Sequence, residues 1–113
     1  MKTLNLLVFL SFFLLTACEK IDKDAPSCIK DLIRNHKKTV ILCETGASVK
    51  QYSFQGDYVY VFDPGNCGAD MNAPVYSSNC EYLGGLGGFT GNLLIKGVRF
   101  DQNSTYVKTI WTN

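Results

Sequence analysis

The chain has 113 residues, a formal net charge of +1, 46% hydrophobic residues and five cysteines. Lys2 is the only charged side chain ahead of Cys18, so residues 18–113 carry 10 basic and 10 acidic side chains, a balance that gives no electrostatic reason to expect nucleic acid or an anionic surface as a partner. That length makes one small domain with a limited core, of the kind that commonly needs covalent staples.

Residues 1–5 are a short start whose only charged side chain is Lys2, and Leu6 to Leu15 is an apolar run broken only by Ser11. The run is shorter than the roughly 20 apolar residues of a transmembrane helix. Its proportions are those of a secretory h-region followed by small residues at a cleavage point. A buried core helix would show polar residues along one face, and this run has none to spare. Leu15-Thr16-Ala17-Cys18 resembles the lipobox of bacterial lipoproteins, where a peptidase cuts just before a cysteine that carries diacylglycerol and is usually N-acylated. The resemblance implies a lipoprotein signal peptide over residues 1–17 and palmitate-type lipid on Cys18. It also implies residence in the bacterial cell envelope, lipid-anchored, with the outer membrane as the expected site and its face left open. Two or more acyl chains make such an attachment stable, at about 0.8 kcal/mol per buried methylene.

With Cys18 assigned to lipid, Cys28, Cys43, Cys67 and Cys80 form an even set suited to two disulfides in an oxidising compartment. Four cysteines allow three connectivities. Cys28–Cys43 with Cys67–Cys80 is the expected pairing, because each pair flanks a short connected unit. A metal centre built from all four lacks the close C-x2-C pairs that zinc favours.

Cys18 to Ala25 reads as a lipidated cysteine followed by a charged, flexible tether, and residues 26–113 as a single domain. Its acidic residues are loosely like signals that send some lipoproteins to the cell surface. Pro26 and Ser27 offer a helix start, with Asp31 in the first turns where the helix dipole favours an acid. Cys28, Ile29, Leu32, Ile33 and His36 share one face of a short amphipathic helix over roughly residues 27–37. Thr39 to Cys43 is a β-rich run. Val49 to Phe54 and Tyr58 to Phe62 are alternating runs about Gln55-Gly56-Asp57, the pattern of a β-hairpin. Tyr58, Tyr60 and Phe62 fall on one side and Val59 and Val61 on the other, so this second run predicts a central strand with the helix on one face. Residues 63–73 form a turn-rich loop, and Pro74 to Ser77 with Cys80 to Leu83 flank Ser78-Asn79 as two more short strands. Gly84 to Gly91 holds five glycines in eight residues, too many for a regular element. Asn92 to Lys96 and Tyr106 to Trp111 read as the last strands. The sum is an α+β domain: one short N-terminal helix on a mainly antiparallel sheet of about five or six strands, with two disulfides.

Residues with chemistry are sparse. The glycine cluster matches neither G-x-x-x-x-G-K-[ST] nor G-x-G-x-x-G, so a loop of positive-φ or closely packed glycines explains it better than a phosphate cradle. Asp63, Asn66 and Asp70 are a weak calcium candidate, oxygen ligands in a turn without EF-hand spacing. His36, the only histidine, reads as structural or solvated, without a catalytic or metal role. No nucleophile–base set is visible, and two-carboxylate hydrolysis would need Asp57 and Asp63 to converge. Asn103-Ser104-Thr105 matches the N-glycosylation pattern, which in a bacterial lipoprotein reads as chance. No cofactor is expected.

Cys28-Ile29, Ser48-Val49-Lys50-Gln51-Tyr52, Tyr58-Val59-Tyr60-Val61-Phe62, Cys67-Gly68-Ala69-Asp70, Cys80, Leu86-Gly87-Gly88, Gly91-Asn92 and Ile110-Trp111 resemble a family of small, uncharacterised lipoproteins from Bacteroidota. The resemblance implies place and build and brings no mechanism. The expected function is therefore a non-enzymatic envelope domain, attached to the bilayer through Cys18. It would bind a protein or glycan partner, with Tyr52, Tyr58, Tyr60, Tyr76 and Tyr82 and the glycine loop as contact surface. The alternative is an inhibitor of a lysozyme or protease, although the Ser-Gly-x-x-Tyr pattern of one lysozyme-inhibitor family is missing. Replacing Cys18→Ala should release the domain or leave an uncleaved precursor. A variant that fractionates with membranes like wild type and takes up as much labelled palmitate overturns the anchor.

Overall fold

Tyr58 to Phe62 presents an apolar set on each side, and such a strand is stable only when both faces are covered. The computed structural model, which describes residues 20–39, 42–68 and 71–113, places it in the middle of the sheet. The elements are α1 (Ser27–Thr39), β1 (Ser48–Phe54), β2 (Asp57–Asp63), β3 (Asn72–Ser77), β4 (Tyr82–Gly87), β5 (Leu94–Ile95), β6 (Val98–Arg99), α2 (Phe100–Asn103) and β7 (Ser104–Thr112). Strands β1 to β4 form a meander and β7 returns to the free side of β1, giving an antiparallel sheet of order β4-β3-β2-β1-β7. The pair β5-β6 is a separate two-stranded hairpin. The α+β architecture is borne out, as is the central position of β2.

Each face of the sheet has its own core. On one, Ile29 and Ile33 of α1 pack with Val49, Tyr60, Phe62, Ile110 and Trp111. Phe62 and Ile29 are fully buried, and each contributes about 1.5–3 kcal/mol through burial. Gln51 supplies the polar link inside this layer by donating from Nε2 to the Tyr60 hydroxyl at 3.0 Å. On the other face Phe54, Val59 and Val75 meet Ile95 of the small hairpin and Phe100 of α2. Ring contacts at 5.1 Å (Phe54–Phe100) and 5.2 Å (Tyr52–Phe100) hold that cover in place.

Several local expectations change. Residues 18–25 are expected as a tether, yet the chain is docked from Ile21 onward. Ile21 and Ala25 join the helix-side core, the Asp22 N–H donates to the Ile110 carbonyl at 2.8 Å, and the Asp22 carboxylate meets Lys108 Nζ at 3.0 Å. The charges of this stretch obscured a pair of apolar side chains, Ile21 and Ala25, spaced to reach the core. Helix α1 runs two residues beyond the expected end, to Thr39. Its first turn holds no acid, because Asp31 sits a turn later and pairs with Arg34 at 3.0 Å. Leu42 and Cys43, expected in a strand, belong to a loop, and Val40 and Ile41 lie outside the described residues. The glycine cluster is not all loop: Gly84 to Gly87 complete β4. Gly84 holds φ +148, and a Cβ there would stand 3.1 Å from Ile95 Cδ1, so its missing side chain lets the small hairpin lie close to the sheet. Asn92 to Lys96 shortens to Leu94–Ile95 and acquires β6 as its partner.

The disulfides also differ from expectation. Cys28 joins Cys80 and Cys43 joins Cys67, with Cα separations of 6.2 and 5.6 Å. The first bond ties the start of α1 to the β3–β4 turn, and the second ties the loop before β1 to the loop after β2. Proximity in sequence was the wrong guide, because the meander carries Cys80 back beneath the helix. The bonds are nested, spanning 52 and 24 residues, and taken singly they are worth about 4 and about 3.5 kcal/mol in the chain-entropy model. Peptide mapping without reduction should recover Cys28 linked to Cys80. Replacing that pair with alanine should lower the urea midpoint by more than replacing Cys43 and Cys67 does. The reverse order, or a recovered Cys28–Cys43 peptide, overturns the assignment.

Candidate functional site

The small hairpin and α2 are too short to cover the whole second face, and at one end an open cleft of about 500 Å³ remains. That volume suits a small ligand or a side chain of a larger partner. Phe54, Val59, Leu83, Ile95 and Val98 form its apolar floor and walls. Gln55, Asp57, Ser77, Asn79, Glu81 and Lys96 surround it with polar groups of both signs.

Three tight turns build the mouth. Gln55-Gly56 joins β1 to β2, Ser78-Asn79-Cys80 lies between β3 and β4, and Lys96-Gly97 joins β5 to β6. Among the described residues three non-glycine residues have positive φ: Gln55 at 53°, Cys80 at 64° and Lys96 at 51°. One lies in each turn. Such conformations cost of order 1–3 kcal/mol each, and they gather where the surrounding structure over-determines them, often at binding sites. In the two hairpins a following glycine, Gly56 at φ 81° and Gly97 at φ 80°, completes the primed turn that the strand twist favours. The middle turn is held by Ser77, whose carbonyl accepts from the Cys80 N–H at 2.9 Å. The Ser77 Oγ accepts from Asn79 N–H at 3.2 Å and Glu81 N–H at 3.1 Å. The Cys28–Cys80 bond then fixes this turn to α1 from behind. The mouth is rigid on its middle side and presents Asp57, Glu81 and Lys96 to solvent.

The residues singled out from the sequence scatter. Cys18 and Asp70 lie outside the described residues. Asp63 and Asn66 line a different hollow with Glu44 and the Cys43–Cys67 bond, where Met71 Sδ sits 3.5 and 3.7 Å from the two disulfide sulfurs. There the Asp63 carboxylate accepts from the Gly65 N–H at 2.9 Å, the bond of a turn-former. Among the described residues no three His, Cys, Asp or Glu side chains stand together as metal ligands. Asp57 and Asp63 occupy opposite ends of β2, so they do not converge. The tyrosines divide as well. Tyr60 is buried in the core, Tyr52 stacks beside Phe100, and Tyr76 and Tyr82 lie edge to face at 5.7 Å on the helix side. Only Tyr58 borders the cleft. Two cleft features were missed, Glu81 and the Lys96-Gly97 hairpin. The Ile95-Lys96-Gly97-Val98 sequence carries an apolar-x-Gly-apolar signal for that turn.

A family model described as a domain of unknown function, DUF6970, matches residues 36–113, and the chain belongs to that family. The match spans every strand and both walls of the cleft. No curated protein and no solved structure matches the chain.

The matched region opens at His36, on the last turns of α1. It lies edge to face against Phe62 at 5.4 Å, and its Nε2 is buried with no hydrogen-bond partner. Burial lowers its pKa below the ordinary 6.5, because the imidazolium would lose hydration against the apolar layer. Below pH 6.5 the unfolded chain therefore binds the proton more readily than the folded one, and stability falls as pH drops through that window. Denaturation midpoints should decline between neutral pH and about pH 5, and His36→Gln should flatten the decline. Equal slopes for both proteins overturn this role.

Proposed function

We propose that this member of the DUF6970 family is a lipid-anchored domain of the bacterial cell envelope. It holds a protein or glycan partner in the cleft beneath the small hairpin and performs no catalysis. The observation that carries this reading is the cleft itself. It has an apolar floor continuous with the second core, a polar margin of both signs, and turns held in costly backbone conformations. Such a surface can take the apolar face of a sugar ring or an aliphatic side chain while Asp57, Glu81, Asn79 and Lys96 meet hydroxyls, amides or charges at its edge. The cleft contains no histidine and no cysteine, and the chain's one histidine lies on the helix layer across the sheet. The lipobox-like Leu15-Thr16-Ala17-Cys18 supports the anchor, and the two disulfides suit an oxidising envelope.

Affinity capture from envelope extracts with the unlipidated domain is the direct test. Val98→Trp fills the cleft, and Asp57→Ala with Glu81→Ala strips its acidic edge. Each change should weaken retention of the captured partner by roughly tenfold or more, the scale of a hot-spot contact. A partner retained equally by all three proteins binds elsewhere and overturns the site. Slowed turnover of a lysozyme or protease mixed with the domain would identify the partner as that enzyme.

A further inference from the structure

We propose that the layer formed by residues 20–39 is the face this domain lays on an anionic bilayer, leaving the cleft open on the far side. The inference rests on the lipid anchor at Cys18 and adds an orientation to it.

Reach comes first. Only three peptide steps separate Cys18 from Ile21, a span of at most about 11 Å when fully extended. Ile21 is already packed into the helix-side core, and Asp22 is held to β7 by one backbone bond and one ion pair. A lipid on Cys18 would therefore keep the body against the membrane instead of on a free tether. Ile21 and Ala25 belong to the same core as Ile29 and Ile33 of α1, so the first described residues after Cys18 and the helix share one layer on one face of the sheet.

Charge selects the same layer independently. Residues 20–39 carry Lys20, Lys23, Lys30, Arg34, Lys37 and Lys38 against three acids, a net +3. The remaining described residues carry four basic against five acidic side chains, a net −1. The acids of the basic layer are partly neutralised, since Asp22 pairs with Lys108 and Asp31 with Arg34, each at 3.0 Å. Lys23, Lys37 and Lys38 are exposed, and Lys37 keeps its stem near the core, with Nζ 5.5 Å from the Trp111 ring centroid. Exposed lysines along the layer next to a lipid are the physical form of a second membrane signal, because anionic headgroups attract each cation within a Debye length. The cleft, built on the other core, then faces away from the bilayer.

The test uses the full lipidated chain in vesicles of phosphatidylcholine alone or with phosphatidylglycerol, treated with a membrane-impermeant amine-acylating reagent. Labelling of Lys23, Lys37 and Lys38 should drop roughly fivefold in the phosphatidylglycerol vesicles and recover in high salt, with Lys96 beside the cleft unchanged. Equal labelling in both vesicles, with the chain still floating with them, overturns the orientation and leaves the anchor standing. A chain that floats with neither vesicle overturns the anchor and this inference together. Protection seen only after envelope proteins are added assigns the layer to a protein and overturns the lipid contact.

Discussion

A strand that is apolar on both sides sets the terms for everything else in this domain. β2 has Tyr60 and Phe62 on one face and Val59 and Val61 on the other, so the sheet needs two covers. The described residues hold one full helix, and α1 takes the first face. Among the described residues the second face receives only a two-stranded hairpin and a four-residue helix. Their shortness leaves the cleft, which is thus a geometric result of covering two faces with unequal material. The floor is apolar because it is unfinished core, and the edge is polar because it is made of turns.

That origin also explains why the mouth needs reinforcement. Turns at a sheet end have few packing contacts, and three of these carry a non-glycine residue in the left-handed region. Ser77 and the Cys28–Cys80 bond hold the middle one, while glycines complete the other two. The second disulfide performs the same service at the opposite end of β2, joining the loops on either side of the β1–β2 pair beneath Met71. With a single histidine and no clustered ligands among the described residues, cross-links and turn bonds give this small sheet its definition.

The parts of the fold legible in the sequence were those with strong local periodicity. The 3.6-residue spacing of Ile29, Leu32, Ile33 and His36 marks α1, and the alternation about Gln55-Gly56 marks the β1–β2 hairpin. What escaped was set by distant partners. The pairing of Cys28 with Cys80 depends on the meander carrying the β3–β4 turn under the helix. Gly84 to Gly87 form a strand because β3 supplies hydrogen-bond partners, with Ile95 against Gly84 and the Asn72 side chain against Gly85. The docking of Ile21 to Ala25 depends on an open position at Ile110. The cleft was the least legible feature, since Asp57, Glu81 and Lys96 sit in three separate turns. An overall balance of charge likewise concealed that the cations are concentrated in one layer.

The nested cross-links bear on how the chain is made. Of the four paired cysteines, synthesis delivers Cys28 first and Cys43 next, before Cys67 or Cys80 has been made. Oxidation in order of appearance would join the wrong partners, and Cys28 must stay unpaired, or be released again, until a residue 52 positions later arrives. Reaching the native pairing by exchange takes a thiolate and time, seconds to hours depending on oxidant and isomerase. Nested pairing of this kind forms more readily where thiol–disulfide exchange is catalysed than where an oxidant acts alone, so the yield in a host should track the supply of isomerase more closely than the supply of oxidant.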